Sequence, residues 1–279
     1  MSDALLAALN TLEQHTAERM RCVPGACALH LFGSRITQRD DPYADLDLHL
    51  VTSNPAAARR IWPAILGTIA APLICWPLSA AADNTAFTLL LAGENPYHKI
   101  DISLGDGSGL PPPLDTAPIR VLWQQSPWSG MPTPPPYHAY QPAWGSYGHL
   151  IIEELLSGIR YLKARRRGKL LTAWRFVRSK PDLVLSLLAA QHLGERLPTP
   201  LSTWAIRELE PYLDSTEQAA FFAALDWRSP MALDHACLTL NRMIVQYAGT
   251  LAAAAGEPLP HHLFEPLLAF VAANLPTSA

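Results

Sequence analysis

A proline-rich stretch separates two halves of this chain that follow different periodicities, and that break limits the fold more than any other feature. Residues 106–145 hold ten of the 26 prolines, including Pro111 to Pro113 and Pro134 to Pro136. Proline cannot donate to a β-ladder and interrupts helices, so the stretch reads as an extended connector. Its aromatics, Trp123, Trp128, Tyr137, Tyr140 and Trp144, predict that it packs onto the domains instead of hanging free.

Ahead of the connector the pattern mixes both kinds of element. Residues 3–20 place apolar side chains at helical spacing after Ser2, a fair N-cap. Ala26 to Phe32 is a short apolar run that ends at Gly33-Ser34 and reads as a buried strand. Residues 45–51 alternate strictly, as a strand does, and Asn54-Pro55 opens a helix to about Ile69. Pro72 to Leu78, Thr85 to Leu91 and Lys99 to Leu104 read as further strands. Beyond the connector the spacing predicts helices near 147–167, 169–193, 203–213, 216–225, 230–255 and 259–274, with prolines close to their boundaries. The expected fold class is α+β: a small mixed-sheet domain over 1–105, the connector over 106–146, and an all-helical domain over 147–279.

Composition narrows the function classes. With 49 % apolar and 16 % charged residues, the chain can bury a core and is not a disordered sequence. Its net charge of −3 argues against a general nucleic-acid coat. That charge is segregated, however: −4 over residues 1–146, +7 over 147–180 and −6 over 181–279. Cys22, Cys27, Cys75 and Cys237 form no C-x-x-C pair and match neither a zinc ribbon nor a disulfide framework, so free thiols in a reducing, cytoplasmic setting are expected. Met1 to Leu12 carries Asp3 and no basic flank, unlike a signal peptide, and no membrane span is expected.

Three pieces carry chemistry. Leu31 to Arg35 leaves a strand through Gly33-Ser34, Asp45-Leu46-Asp47 begins the alternating strand, and Asp101 lies inside an apolar strand. Asp45 and Asp47 are two residues apart on a strand, so both point to one face. Carboxylates at that spacing repel unless a cation lies between them, and Asp101 can complete a three-carboxylate cluster. Such a cluster suits Mg²⁺, a hard ion that prefers oxygen ligands. Gly33-Ser34 offers a phosphate a close backbone approach and a hydroxyl, and Arg35 a charge. Taken singly, each piece has a plainer explanation: a turn, the wet face of an edge strand, an acid paired with Lys99 or an arginine. His30, His49, His98 and His149 are not spaced as a zinc site, and His49 is expected to face solvent beside Asp47.

In this order and spacing, Gly33-Ser34, Asp45/Asp47 and Asp101 resemble the nucleotidyltransferase superfamily typified by DNA polymerase beta. The resemblance covers about residues 25–105. It implies that Asp45, Asp47 and Asp101 hold two Mg²⁺ ions and that Gly33 and Ser34, with Arg35, hold ATP or another nucleoside triphosphate. Ile36 to Tyr43 lacks the small residues that many members show after Gly-Ser. The layout of a small catalytic domain before a helical one is similar to the aminoglycoside and lincosamide nucleotidyltransferases. That likeness implies transfer of a nucleoside monophosphate to a hydroxyl of a small molecule.

Further roles follow from the resemblance. The basic run from Arg160 to Lys169 could face the triphosphate, with Arg160, Lys163 and Arg167 on one helical face and Lys163 the favoured residue. Glu153 and Glu154 open the same helix, and Glu154 is the favoured general base, with Asp101 the alternative. The acidity of residues 181–279 suits a cationic acceptor. The alternatives are a toxin-type enzyme acting on tRNA or a protein, and a non-catalytic binding module.

Overall fold

The computed structural model describes residues 2–37, 41–77, 86–106, 118–125, 145–194, 209–212 and 214–276. The chain divides into two compact units, Met1–Pro142 and Ala143–Ala279.

The first unit runs α1 (Ser2–Met20), β1 (Ala26–Phe32), α2 (Ser34–Thr37), β2 (Leu46–Thr52), α3 (Pro55–Leu66), β3 (Pro72–Pro77), β4 (Ala86–Leu91), β5 (Ile100–Gly105) and β6 (Arg120–Gln124). The strands form one mixed sheet in the order β3-β4-β5-β2-β1-β6. β2 and β5 are parallel, and the other neighbours are antiparallel. Alternation then decides the two faces. Leu46, Leu48 and Leu50 of β2 and Ile100, Ile102 and Leu104 of β5 are buried in one core with Leu9 and Leu12 of α1 and Trp62, Ile65 and Leu66 of α3. The residues between them in sequence, Asp47 and His49 on β2 and Asp101 and Ser103 on β5, belong to the other face. α3 starts where Asn54 accepts the Ala57 N–H at 3.1 Å and Pro55 opens the helix.

The stretch read as connector contributes an edge strand. β6 pairs with β1, and Trp123, 5 % exposed, donates its indole N–H to the Ala17 carbonyl at 2.7 Å. The strand lies in the proline-free interval between Pro118 and Pro127, which the proline count over the whole stretch concealed. Trp128, Tyr137, Tyr140 and Trp144 lie outside the described residues.

The second unit is helical among the described residues: α4 (Ser146–Arg166), α5 (Leu170–Val177), α6 (Lys180–Leu193), a 3₁₀ turn (Glu210–Tyr212), α7 (Ser215–Ala223), α8 (Pro230–Ala255) and α9 (His261–Asn274). α8 is the central element, contacted by α4, α5, α6, α7 and α9. The single helix expected over 169–193 breaks between α5 and α6 because Pro181, lacking an N–H, belongs in a first turn. Most of the helix expected over 203–213 lies outside the described residues. The architecture is α+β, and among the described residues no helix is long and apolar enough to cross a membrane. All four cysteines are free, with Cys75 and Cys237 buried.

Candidate functional site

The parallel pairing of β2 with β5 sets the geometry. Asp47 and Asp101 are direct register partners, and Phe32 of β1 flanks Asp47 on the other side. In-register residues of neighbouring strands point to the same face, so the two carboxylates emerge side by side. Asp45 stands just before β2, two residues from Asp47 and therefore on its side of the chain. Thr88 of β4 pairs with Asp101, and its hydroxyl donates to Asp101 Oδ1 at 2.6 Å.

Lys99 lies at the middle of this group. Its Nζ is 3.2 Å from Asp45 Oδ2 and hydrogen-bonds Asp101 Oδ2, while the side chain is only 4 % exposed. Burial works against the ammonium, but the attraction of Asp45, Asp101 and Asp47 overrides it and holds the pKa above the ordinary lysine value. Among the described residues no three His, Cys, Asp or Glu side chains converge on a common point as a metal set. Lys99 contacts Asp45 and Asp101, and Thr88 donates to the other oxygen of Asp101. The donors nonetheless fit a hard divalent cation in kind, being carboxylates on one side of the sheet.

Gly33 has φ +72°, and a Cβ there would collide with Asp47 Oδ2. The glycine therefore serves two ends: it turns the chain out of β1 and lets the Asp47 carboxylate lie against the backbone. Ser34 opens α2 directly beside that contact and is half-buried. Arg35, expected to offer a charge to a phosphate, makes its described contacts with α1. It is 6 % exposed and turned to α1, with Nε 2.9 Å from Glu13 Oε2 and a hydrogen bond to Asn10 Oδ1. Glu13 also binds Arg120 of β6, so Arg35 belongs to a knot tying α1 to the sheet.

The expectation that His49 faces solvent is corrected. The side chain is 1 % exposed, its Nδ1 lies 2.8 Å from Ser103 Oγ, and its ring stacks on His30 at 6.3 Å. Burial, reinforced by His30, lowers its pKa to about 4. Gly105 makes room for the ring, since a Cβ there would come within 2.8 Å of it.

In the second unit, Glu153 is exposed and Glu154 is half-buried on α4. Glu154 accepts a hydrogen bond from Lys180, whose side chain is fully buried at the start of α6. Lys163 does not share the open face expected for it: it is 3 % exposed, while Arg160 and Arg167 are half-buried. Sequence reasoning missed Thr88 and Lys180. Thr88 stands out locally as the one polar residue of the apolar strand β4, but nothing local marks Lys180, which lies 26 residues from Glu154.

No protein-family profile matches this chain, and no curated protein does. Among solved structures the chain is similar to an aminoglycoside 6-adenyltransferase from Bacillus subtilis, at 10 % identity over 95 % of this chain and 97 % of that one, with a TM-score of 0.38.

Proposed function

We propose that this chain is a Mg²⁺-dependent nucleotidyltransferase that moves a nucleoside monophosphate, AMP from ATP, to a hydroxyl of a small molecule such as an aminoglycoside or lincosamide. The observation that carries this reading is the register pairing of Asp47 with Asp101, together with the Asp47 carboxylate resting on the Gly33 turn. In this reaction the acceptor oxygen forms a bond to the α-phosphorus, the bond to pyrophosphate breaks, and the hydroxyl proton passes to a base. Asp45, Asp47 and Asp101 would hold the metal. When bound, a divalent ion neutralises phosphate charge and stabilises the attacking and leaving oxygens.

The remaining work falls to the chain itself. The Gly33 turn admits a phosphate close to the backbone, and the Ser34 hydroxyl can donate to it. Thr88 and Lys99 hold Asp101 in one orientation. Glu154 is proposed as the base, held by Lys180, and Lys163 as a charge for the triphosphate. The acidity of residues 181–279 supports a cationic acceptor, and the four free cysteines support a cytoplasmic setting. One observation favours a nucleic-acid acceptor as the second reading: α5 and its C-cap expose Trp174, Arg175 and Arg178, with the Arg178 guanidinium 5.2 Å from the Trp174 ring centre.

The test is a transfer assay with labelled ATP, GTP, CTP and UTP against aminoglycosides, lincosamides and tRNA, with and without Mg²⁺. Label should appear on a small molecule only with Mg²⁺. Asp47→Asn and Asp101→Asn should each lower transfer at least about a hundredfold while the circular dichroism spectrum stays unchanged. Full activity in either variant removes the assignment, and label on tRNA alone selects the second reading.

A further inference from the structure

Three carboxylates on one sheet face repel one another, and the chain answers that repulsion from within. Lys99 is 3 % exposed as a residue, and its ammonium contacts Asp45 and Asp101 and is attracted by Asp47. It thus lies against the Asp45 and Asp101 oxygens that the proposed function gives to a metal, and it opposes their charge. An ammonium and a divalent cation repel at such distances, so the two cannot share the same oxygens without cost. Lysine also differs from arginine here: its charge is compact and its stem flexible, so it can hold the carboxylates and still withdraw.

The geometry points to Lys99 as an internal competitor for the metal: it holds Asp45 and Asp101 in the metal-free chain and limits the cluster, without nucleotide, to one weakly held divalent cation. This inference rests on the metal-binding reading above. It makes Lys99 a positioning residue that sets the charge offered to the ion, and no contact of Lys99 with substrate is required. Two consequences follow from electrostatics. Removing the ammonium takes from Asp45 and Asp101 the charge that contacts them, which destabilises the metal-free fold. The same removal strengthens attraction for a divalent cation.

Mn²⁺ binding to the full chain, counted by electron paramagnetic resonance and titration calorimetry without nucleotide, tests both consequences. The unaltered chain should bind one ion. Lys99→Met should bind Mn²⁺ at least about tenfold more tightly and gain more in melting temperature on adding Mn²⁺ than the unaltered chain does. Lys99→Gln, which keeps a hydrogen-bond donor, serves the same purpose if Lys99→Met does not fold alone. Equal or weaker Mn²⁺ binding in folded Lys99 variants overturns the inference and leaves the metal-binding reading standing, as do two ions of similar affinity on the unaltered chain. Failure of every form to bind Mn²⁺ overturns both.

Discussion

Gly33 shows how much of the site depends on one missing atom. Its positive φ and the adjoining Asp47 carboxylate each exclude a side chain, whereas at Gly93, with φ +80°, an added Cβ would meet nothing within 4 Å. Gly93→Ala should therefore cost only the backbone preference, about 1 kcal/mol. Gly33→Ala should cost about 3 kcal/mol or more, because the collision adds to that preference and Asp47 must move. Thermal or urea unfolding of the two variants side by side measures the difference, and equal losses would refute the contact. Thr88→Val removes one hydrogen bond to Asp101 and should lower stability by about 1 kcal/mol in the same measurement. Gly33, Asp47 and Asp101 were legible in the sequence because strand alternation and a turn residue are local signals. Arg35 was not, because its partner Glu13 lies 22 residues earlier on a helix face that no spacing rule ties to the turn. The burial of Lys163 was not legible for a similar reason: helical spacing groups side chains on a face without saying which face the core takes.

At the scale of elements, local pattern located β1, β2 and α8 well, since each carries its own periodicity and boundary signal. It left the parallel β2–β5 pairing open, because partner choice between strands is a non-local matter. The start of α4 illustrates a second non-local dependence. Glu257, beyond the end of α8, accepts the Tyr147 N–H and the Ser146 hydroxyl, each at 3.0 Å, and a Cβ on Gly145 would collide with it. The carboxylate thereby satisfies donors that the helix leaves open and complements its dipole. The Tyr147 N–H, with the Ser146 groups, holds the Glu257 pKa below its ordinary value of 4.5, against a smaller opposing effect of burial. A group depressed in the folded state adds stability that is complete above the unfolded pKa and is lost as pH falls through the folded one. Glu257→Gln should therefore melt below the unaltered chain at pH 7. The gap should close as the pH falls below 4.5. A gap that persists unchanged at pH 3 would mean that the charge of Glu257 is not what secures the helix start.

In the first unit, one face of the sheet is core and the other carries Asp47 and Asp101, and neighbouring residues on β2 make that division measurable. Leu48 is 1 % exposed in the core with α1 and α3, while Asp47 next to it belongs to the opposite face with Asp101. Leu48→Ala deletes buried methyl groups and leaves a cavity, which costs about 2–5 kcal/mol. Asp47→Asn removes a charge that repels those of Asp45 and Asp101, and takes no atom from the core. Its melting temperature should stay level or rise, as is common where a site is arranged for chemistry at the expense of stability. The two variants should separate in a plane of stability against transfer activity. Leu48→Ala should fall in stability and keep activity per folded molecule, whereas Asp47→Asn should keep stability and lose activity. If Asp47→Asn unfolds as readily as Leu48→Ala, the carboxylate is a structural group that secures the Gly33 turn, and the sheet has no face free for catalysis at that point.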